Sequence, residues 1–284
     1  MLSRPREIVH TPDSLLRRPR FLFSSMWRDL LASRELAWRL MVRDISAQYR
    51  QAILGIAWIF IPPIATALSF TLAKEANVFT VGDTDIPYPA YVMFSTALWQ
   101  TFVDSLMGPI QAVILAKPML ARVNFPREAI ILAKLGEVVF NFAIKLVLII
   151  GLFLFFKVSV SWSVIIAPVA LIHLILLGTL IGVLLAPIGL LYQDVSRGLN
   201  MATGLWLFLT PVIYPVPKEG LFGILVSWNP VTPLLVTTRE LATTGTLSNP
   251  EGFWLVSGFT LIGLILTWIS FRIAMPYVVE RVTS

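Results

Sequence analysis

The 284-residue chain contains no cysteine and only two histidines, and charged residues make up just 13% of it. Without cysteine it forms no disulfide, no thiolate metal site and no cysteine nucleophile. His10 and His173 lack the neighbours of a metal site or of a Ser-His-Asp arrangement. His173 sits inside an apolar run and reads as a hydrogen-bonded packing residue. No G-x-x-x-x-G-K-[ST] segment occurs, so ATP binding of the P-loop kind is excluded for this chain. The basic N-terminus is not followed by a short apolar stretch with a small-residue cleavage site, so no cleaved signal peptide is expected. A soluble domain carries about 25% charged residues. A chain with half that share and 57% hydrophobic residues cannot cover itself with polar surface in water.

What is present is apolar sequence in long blocks, at 51–73, 86–116, 129–156, 158–193, 198–217, 220–238 and 252–271. About 20 apolar residues cross a bilayer core of about 30 Å. Six blocks read as spanning helices, over about 51–74, 88–115, 129–156, 161–190, 198–214 and 252–272. The block at 220–238 is broken by Asn229, Pro230 and Pro233. Irregular backbone at membrane depth persists only when buried in protein or lining a wet cavity. Residues 215–240 are therefore expected to form an outer re-entrant segment between spans five and six. The fold class is all-α integral membrane protein.

Charge distribution tests this count. With six spans, seventeen of the 22 basic residues fall in 1–50, 117–134, 192–197 and the C-terminal end. The positive-inside rule then places both termini, including a tail over 275–284, in the cytoplasm. Seven spans would put Arg272 and Arg281 outside. The net charge of +6 is thus a topology signal, and no nucleic-acid partner is expected.

Residues 1–23 are a basic tail. Over 24–50, Trp27, Leu30, Leu31, Trp38, Met41 and Ile45 recur at helical steps, with Arg28, Glu35, Arg39 and Arg43 mostly opposite. This pattern predicts an amphipathic helix in the cytoplasmic headgroup plane, its arginines toward anionic lipid or a partner. In the loop 117–128, Asn124 suits a helix cap, Pro126 a first turn, and Glu128 the positive end of the dipole. The loop reads equally as a lever that transmits force from a cytoplasmic partner and as the plain start of the third span.

Charges inside spans each cost about 2.5–3.5 kcal/mol at the bilayer centre and seldom face lipid. Glu137, Asn141 and Lys145 share one face of the third span; Gln100 and Asp104 are four apart on the second, with Gln111 beyond. The two stripes either line a pathway or form an interhelical ion pair of Asp104 or Glu137 with Lys145. Trp99 and Phe102 flank the second-span stripe, and Trp206, Phe208, Tyr214, Phe222 and Trp228 crowd the outer end of the fifth span and the broken block. Aromatic rings beside polar groups suit sugar rings.

The order of features resembles a known family. The segment RQAILGIAWIFIPP at 50–63 is similar to a first-span entry of the form R-x-S-x-L-G-x-x-W-x-x-x-x-P. VNFPRE at 123–128 resembles a coupling helix, and YQDV at 192–195 a Y-R-D-[VI] motif with Gln193 in place of arginine. TPVIYP at 210–215 with Asn229 and Pro230 resembles an outer re-entrant region. These belong to the permease half of ABC-2 type polysaccharide exporters, the O-antigen and teichoic-acid export permeases. The resemblance implies a permease of the bacterial cytoplasmic membrane, paired with a second copy of itself and two cytoplasmic ATP-binding subunits that carry the ATP and Mg. It implies that Asn124, Phe125, Pro126, Arg127 and Glu128 contact the ATPase. Trp99, Gln100, Phe102, Asp104, Glu137, Asn141 and Lys145 would line the path. Thr210, Pro211, Tyr214, Pro215, Trp228, Asn229 and Pro230 would shape an outer gate. The cargo would be a glycan on polyprenyl diphosphate, whose diphosphate meets Arg39, Arg43 and Arg50. The chain itself would bind no cofactor and catalyse nothing. An ABC-2 exporter of a small drug or lipid is the alternative.

Overall fold

The computed structural model describes residues 19–50, 53–78, 80–120, 122, 125–217 and 219–283. The basic tail up to residue 18 and Asn124 therefore lie outside the described residues. The α-helices among the described residues are α1 (Pro19–Arg50), α2 (Ile61–Glu75), α3 (Tyr88–Leu115), α4 (Lys117–Leu120), α5 (Glu128–Phe155), α6 (Ala167–Leu191), α7 (Asp194–Phe208), α8 (Gly220–Trp228), α9 (Val231–Ala242) and α10 (Pro250–Thr283). Short 3-10 turns precede α2 and α6.

Helix α3 is the axis of the bundle, buried over most of its length and packed by α2, α5, α6, α7 and α9. It lies closest to α6. A Cβ at Gly178 would stand 2.7 Å from the Phe102 carbonyl, and one at Gly182 would collide with the Leu106 carbonyl. The two backbones touch because glycine leaves nothing between them, the usual device of helix packing in lipid. Helix α10 packs on α6 and α9, while α1 lies along the first half of α5. There Ala37 and Leu40 meet Ala129 and Ala133, and Gly136 leaves room for Met41.

Local sequence sets the helix ends. Pro62 and Pro63 have no N–H to give and fit a first turn, so α2 begins there and 53–60 is irregular or 3-10. Helices α2 and α5 end without glycine. Asn77 and Lys157 take the left-handed conformation instead, at φ 55° and 53°. Val78 and Val158 then donate back to the carbonyls of Ala73 and Phe153, closing each helix.

Helices α5, α6 and α10 are each long and apolar enough to cross a membrane, and α8 and α9 meet at a bend of 86°. The break falls at Asn229 and Pro230, where the sequence places it. The 15-residue α2 and α7 are each about 22 Å long at 1.5 Å per residue, shorter than a bilayer core. Helix α7 starts at Asp194 and gives way at Leu209, ahead of Pro211. Helix α10 runs through the last expected span and on through the tail to Thr283.

Candidate functional site: a polar cleft between two anchored ends

The two polar stripes converge. Asp104 and Gln111 from α3, Lys134, Glu137 and Asn141 from α5, Gln48 from α1 and Asn200 from α7 line one cavity of about 250 Å³. Lys145, 4% exposed, lies 3.3 Å from Asp104, and Lys134 lies 2.7 Å from Glu137. Of the interhelical pairs foreseen, Asp104 with Lys145 forms, while Glu137 is taken by Lys134 one turn earlier. The Tyr49 hydroxyl donates to Asn141 at 3.0 Å, tying the end of α1 to the same cleft. Charges of both signs are thus matched within a few ångströms, which lets them persist in an apolar bundle.

Gln100 is half-buried one turn before Asp104. Trp99 and Phe102 turn the other way. They form a closed triangle with Trp206, the ring centroids 5.3, 6.2 and 5.4 Å apart, and are almost wholly buried within the chain. The rings cement α3 to α7 beside the cleft rather than standing in it.

At the end of the bundle where α3 begins, segment 209–215 is held from three sides. Tyr88 donates to the Ile213 carbonyl at 2.9 Å, and Tyr91 to the Tyr214 carbonyl at 2.8 Å. Asn229 is a four-bond hub. Its amide donates to Thr210 Oγ1 at 2.8 Å and to the Leu209 carbonyl at 3.1 Å. Its oxygen accepts from the Trp206 indole at 3.0 Å and the Val231 N–H at 3.1 Å. The third anchor is Arg239, near the end of α9. It is 6% exposed, donates to Ser95 Oγ at 2.9 Å and to the Pro211 carbonyl at 3.0 Å, and sits 4.2 Å from the Tyr91 ring centre. Thr210 and Pro211 are buried, and Tyr214 and Pro215 half-buried. Trp228 and Pro230 are exposed, at the edge of an apolar groove between α6 and α10.

The opposite end carries the expected coupling segment. Phe125, Pro126 and Arg127 are half-buried and lead directly into α5. Burial lowers the pKa of the Arg127 guanidinium; Glu128 opposes this and Arg272 adds to it. Glu128 is buried and accepts from the Trp268 indole at 3.2 Å and from Arg272 at 3.3 Å; the same guanidinium pairs with Asp29 of α1. Asp29 and Arg272 carried no signal in the sequence beyond their charge, because the contact joins positions at opposite ends of the chain.

On α1, Trp27, Leu31, Trp38 and Val42 are exposed on one stripe beside the face packed on α5. Arg39 pairs with Glu35 and Arg43 with Asp44, while Arg50 is exposed at the helix end. His173 Nδ1 donates to the Val169 carbonyl, 2.8 Å away, and the ring packs edge-on against Phe253 and Trp254, as a packing residue does.

Comparison with known proteins places this geometry. O-antigen export system permease protein RfbA of Myxococcus xanthus is 24% identical over 248 residues, covering 85% of this chain and 92% of that protein. The protein of the same name from Klebsiella pneumoniae is 24% identical over 238 residues, covering 81% and 87%. The ABC-2 type transporter family matches residues 35–241, from α1 through the cleft to α9. With most of its length so matched, the chain belongs to the ABC-2 type transporter family.

Proposed function

We propose that this chain is the membrane-spanning permease subunit of an ATP-driven exporter that moves a polyprenyl-diphosphate-linked polysaccharide, O-antigen-like or a teichoic acid, across the bacterial cytoplasmic membrane. The observation that carries the reading is the polar cleft. An apolar bundle that served only as an anchor would have no cause to gather two acids, a lysine and four amides from four helices into one cavity, with a second lysine paired to one of the acids. The names of the relatives supply the cargo class. In this reading the chain adopts six spans with both termini cytoplasmic, α2 and α7 crossing with the turns that flank them. A second copy completes the path, and the open side of the cleft faces it. The sequence has no P-loop, so ATP and Mg reside on two cytoplasmic ATP-binding subunits that engage Phe125, Pro126, Arg127 and Glu128.

Arg39, Arg43 and Arg50 share a groove with Trp38 and Val42, where a diphosphate headgroup in the inner leaflet finds cations beside apolar surface. The anchored segment 209–215 and the break at Asn229 form the outer gate.

Depletion in the native host tests the reading. Full-length glycan should accumulate on its lipid carrier at the cytoplasmic leaflet and disappear from the cell surface. Unchanged surface glycan would remove the polysaccharide assignment and leave export of a small drug or lipid as the account to pursue.

A further inference from the structure

The helices at the cytoplasmic end divide into two packed sets. Helix α1 packs on α5, and α10 packs on α6 and α9; neither α1 nor α5 packs lengthwise on α10. Between α5 and α10 runs a nearly wholly apolar slot of about 240 Å³, walled by Ile131, Leu135, Leu264 and Ile265 and ending at Glu128 and Trp268. Arg272, Trp268, Glu128 and Asp29 bridge the gap at this end. Arg272 holds Glu128 with one arm of its guanidinium and Asp29 with the other, and the Trp268 indole adds a bond to the same Glu128 oxygen. The side chains are 21%, 10% and 32% exposed for Arg272, Glu128 and Asp29.

Two carboxylates on one guanidinium are an expensive way to hold two helices together. Desolvating such groups offsets much of their attraction, and apolar packing of the same volume stabilises as well or better. What the fork provides is direction. A planar guanidinium fixes two acids at a set angle, which a point charge cannot do. One of those acids, Glu128, is the first residue of α5 and the last residue of the segment expected to meet the ATPase.

We propose that Arg272 is a positioning residue of the transport cycle. It latches α10 to α1 and to the start of α5, so that a displacement of the coupling segment reaches the interfacial helix and the last helix together. The proposal rests on the exporter reading for its direction of force, while the latch itself rests on the geometry.

The test uses the complete exporter, permease with its ATP-binding subunits, in vesicles loaded with lipid-linked glycan. Arg272→Lys keeps the charge and removes the fork; Asp29→Asn removes one arm and leaves the pair with Glu128. Glycan exported per ATP hydrolysed should fall about tenfold in Arg272→Lys, the scale of one charged hydrogen bond. It should fall less in Asp29→Asn, with the double variant no worse than the lysine variant alone. The natural absence of cysteine allows spin labels at Arg34→Cys and Tyr277→Cys, both exposed, in complexes diluted with unlabelled protomers. Their separation should stay fixed on ATP binding in the parent protein and change when Arg272 is lysine. An unchanged glycan-to-ATP ratio in assembled variant complexes would overturn the proposal. So would a label distance that behaves alike with arginine and lysine. If the parent complex exports no glycan, the exporter reading fails and the label distance alone decides the latch.

Discussion

At the scale of single residues, two side chains hold the end of the bundle where α3 begins, and they differ in how they showed themselves. Asn229 stands in the sequence between two apolar stretches next to proline, so a break was legible there and the structure puts a bend of 86° at that point. Its four hydrogen bonds were not legible, because three of the partners, Trp206, Leu209 and Thr210, lie in α7 and the segment that follows it, about twenty residues earlier. Asn229→Leu would leave the Trp206 indole and the Val231 N–H without their acceptor, at about 1–3 kcal/mol for each. We expect a clear fall in unfolding temperature of the purified protein in detergent. Asn229→Asp, which keeps the acceptor, should fall less. Arg239 was hidden because one partner is a backbone carbonyl and the other is Ser95, more than a hundred residues away. Arg239→Lys keeps a cation over Tyr91 and loses the two-pronged reach to Ser95 and Pro211. It should destabilise by about 1–3 kcal/mol, as one lost charged hydrogen bond does, and segment 209–215 should become more accessible to hydrogen exchange.

At the scale of helices, periodicity and composition gave most of the layout, and tertiary contact decided the rest. The limits of α3 and α5 match the apolar runs within a residue or so. Helix α7 does not, since hydropathy cannot see that Asp194 sits in its first turn or that the helix ends ahead of Pro211. The amphipathic pattern of α1 is real but divided. Ala37 and Leu40 pack on α5, while Trp27, Leu31, Trp38 and Val42 are left exposed. A polarity-sensitive dye on Trp38→Cys should report headgroup depth and be quenched by shallow-labelled lipids. A dye there that reports bulk water would contradict the interfacial placement. The α3–α6 contact is the tightest in the bundle, and nothing in the spacing of Gly178 and Gly182 identified their partner helix. Gly182→Ala must push the two backbones apart, at about 1–3 kcal/mol for overpacking. Gly204→Ala meets nothing within 4 Å and should leave thermal stability unchanged.

At the scale of the whole molecule, α3 joins three zones. Its first turns, Tyr88 and Tyr91, bind segment 209–215; Asp104 and Gln111 open on the polar cleft; Ile110 and Val113 pack in a cluster with Phe271 and Met275 near Arg272. The class of the protein was legible from its missing charge and long apolar runs. The cleft was half legible: the two stripes could be read, but not that Gln48 and Asn200 complete it or that Lys134 takes Glu137. Those contacts depend on the rotation of each helix, which no spacing fixes. The central claim is that this chain moves a lipid-linked glycan only when a separate ATPase drives it, and reconstitution tests it most directly. The permease is placed in vesicles with and without its ATP-binding subunits, lipid-linked glycan is loaded in the leaflet facing them, and the opposite leaflet is probed with a lectin that cannot cross. The account predicts lectin-accessible glycan only with permease, ATP-binding subunits and ATP all present. Glycan that crosses without ATP, or that fails to cross with the full complex turning over ATP, would contradict it.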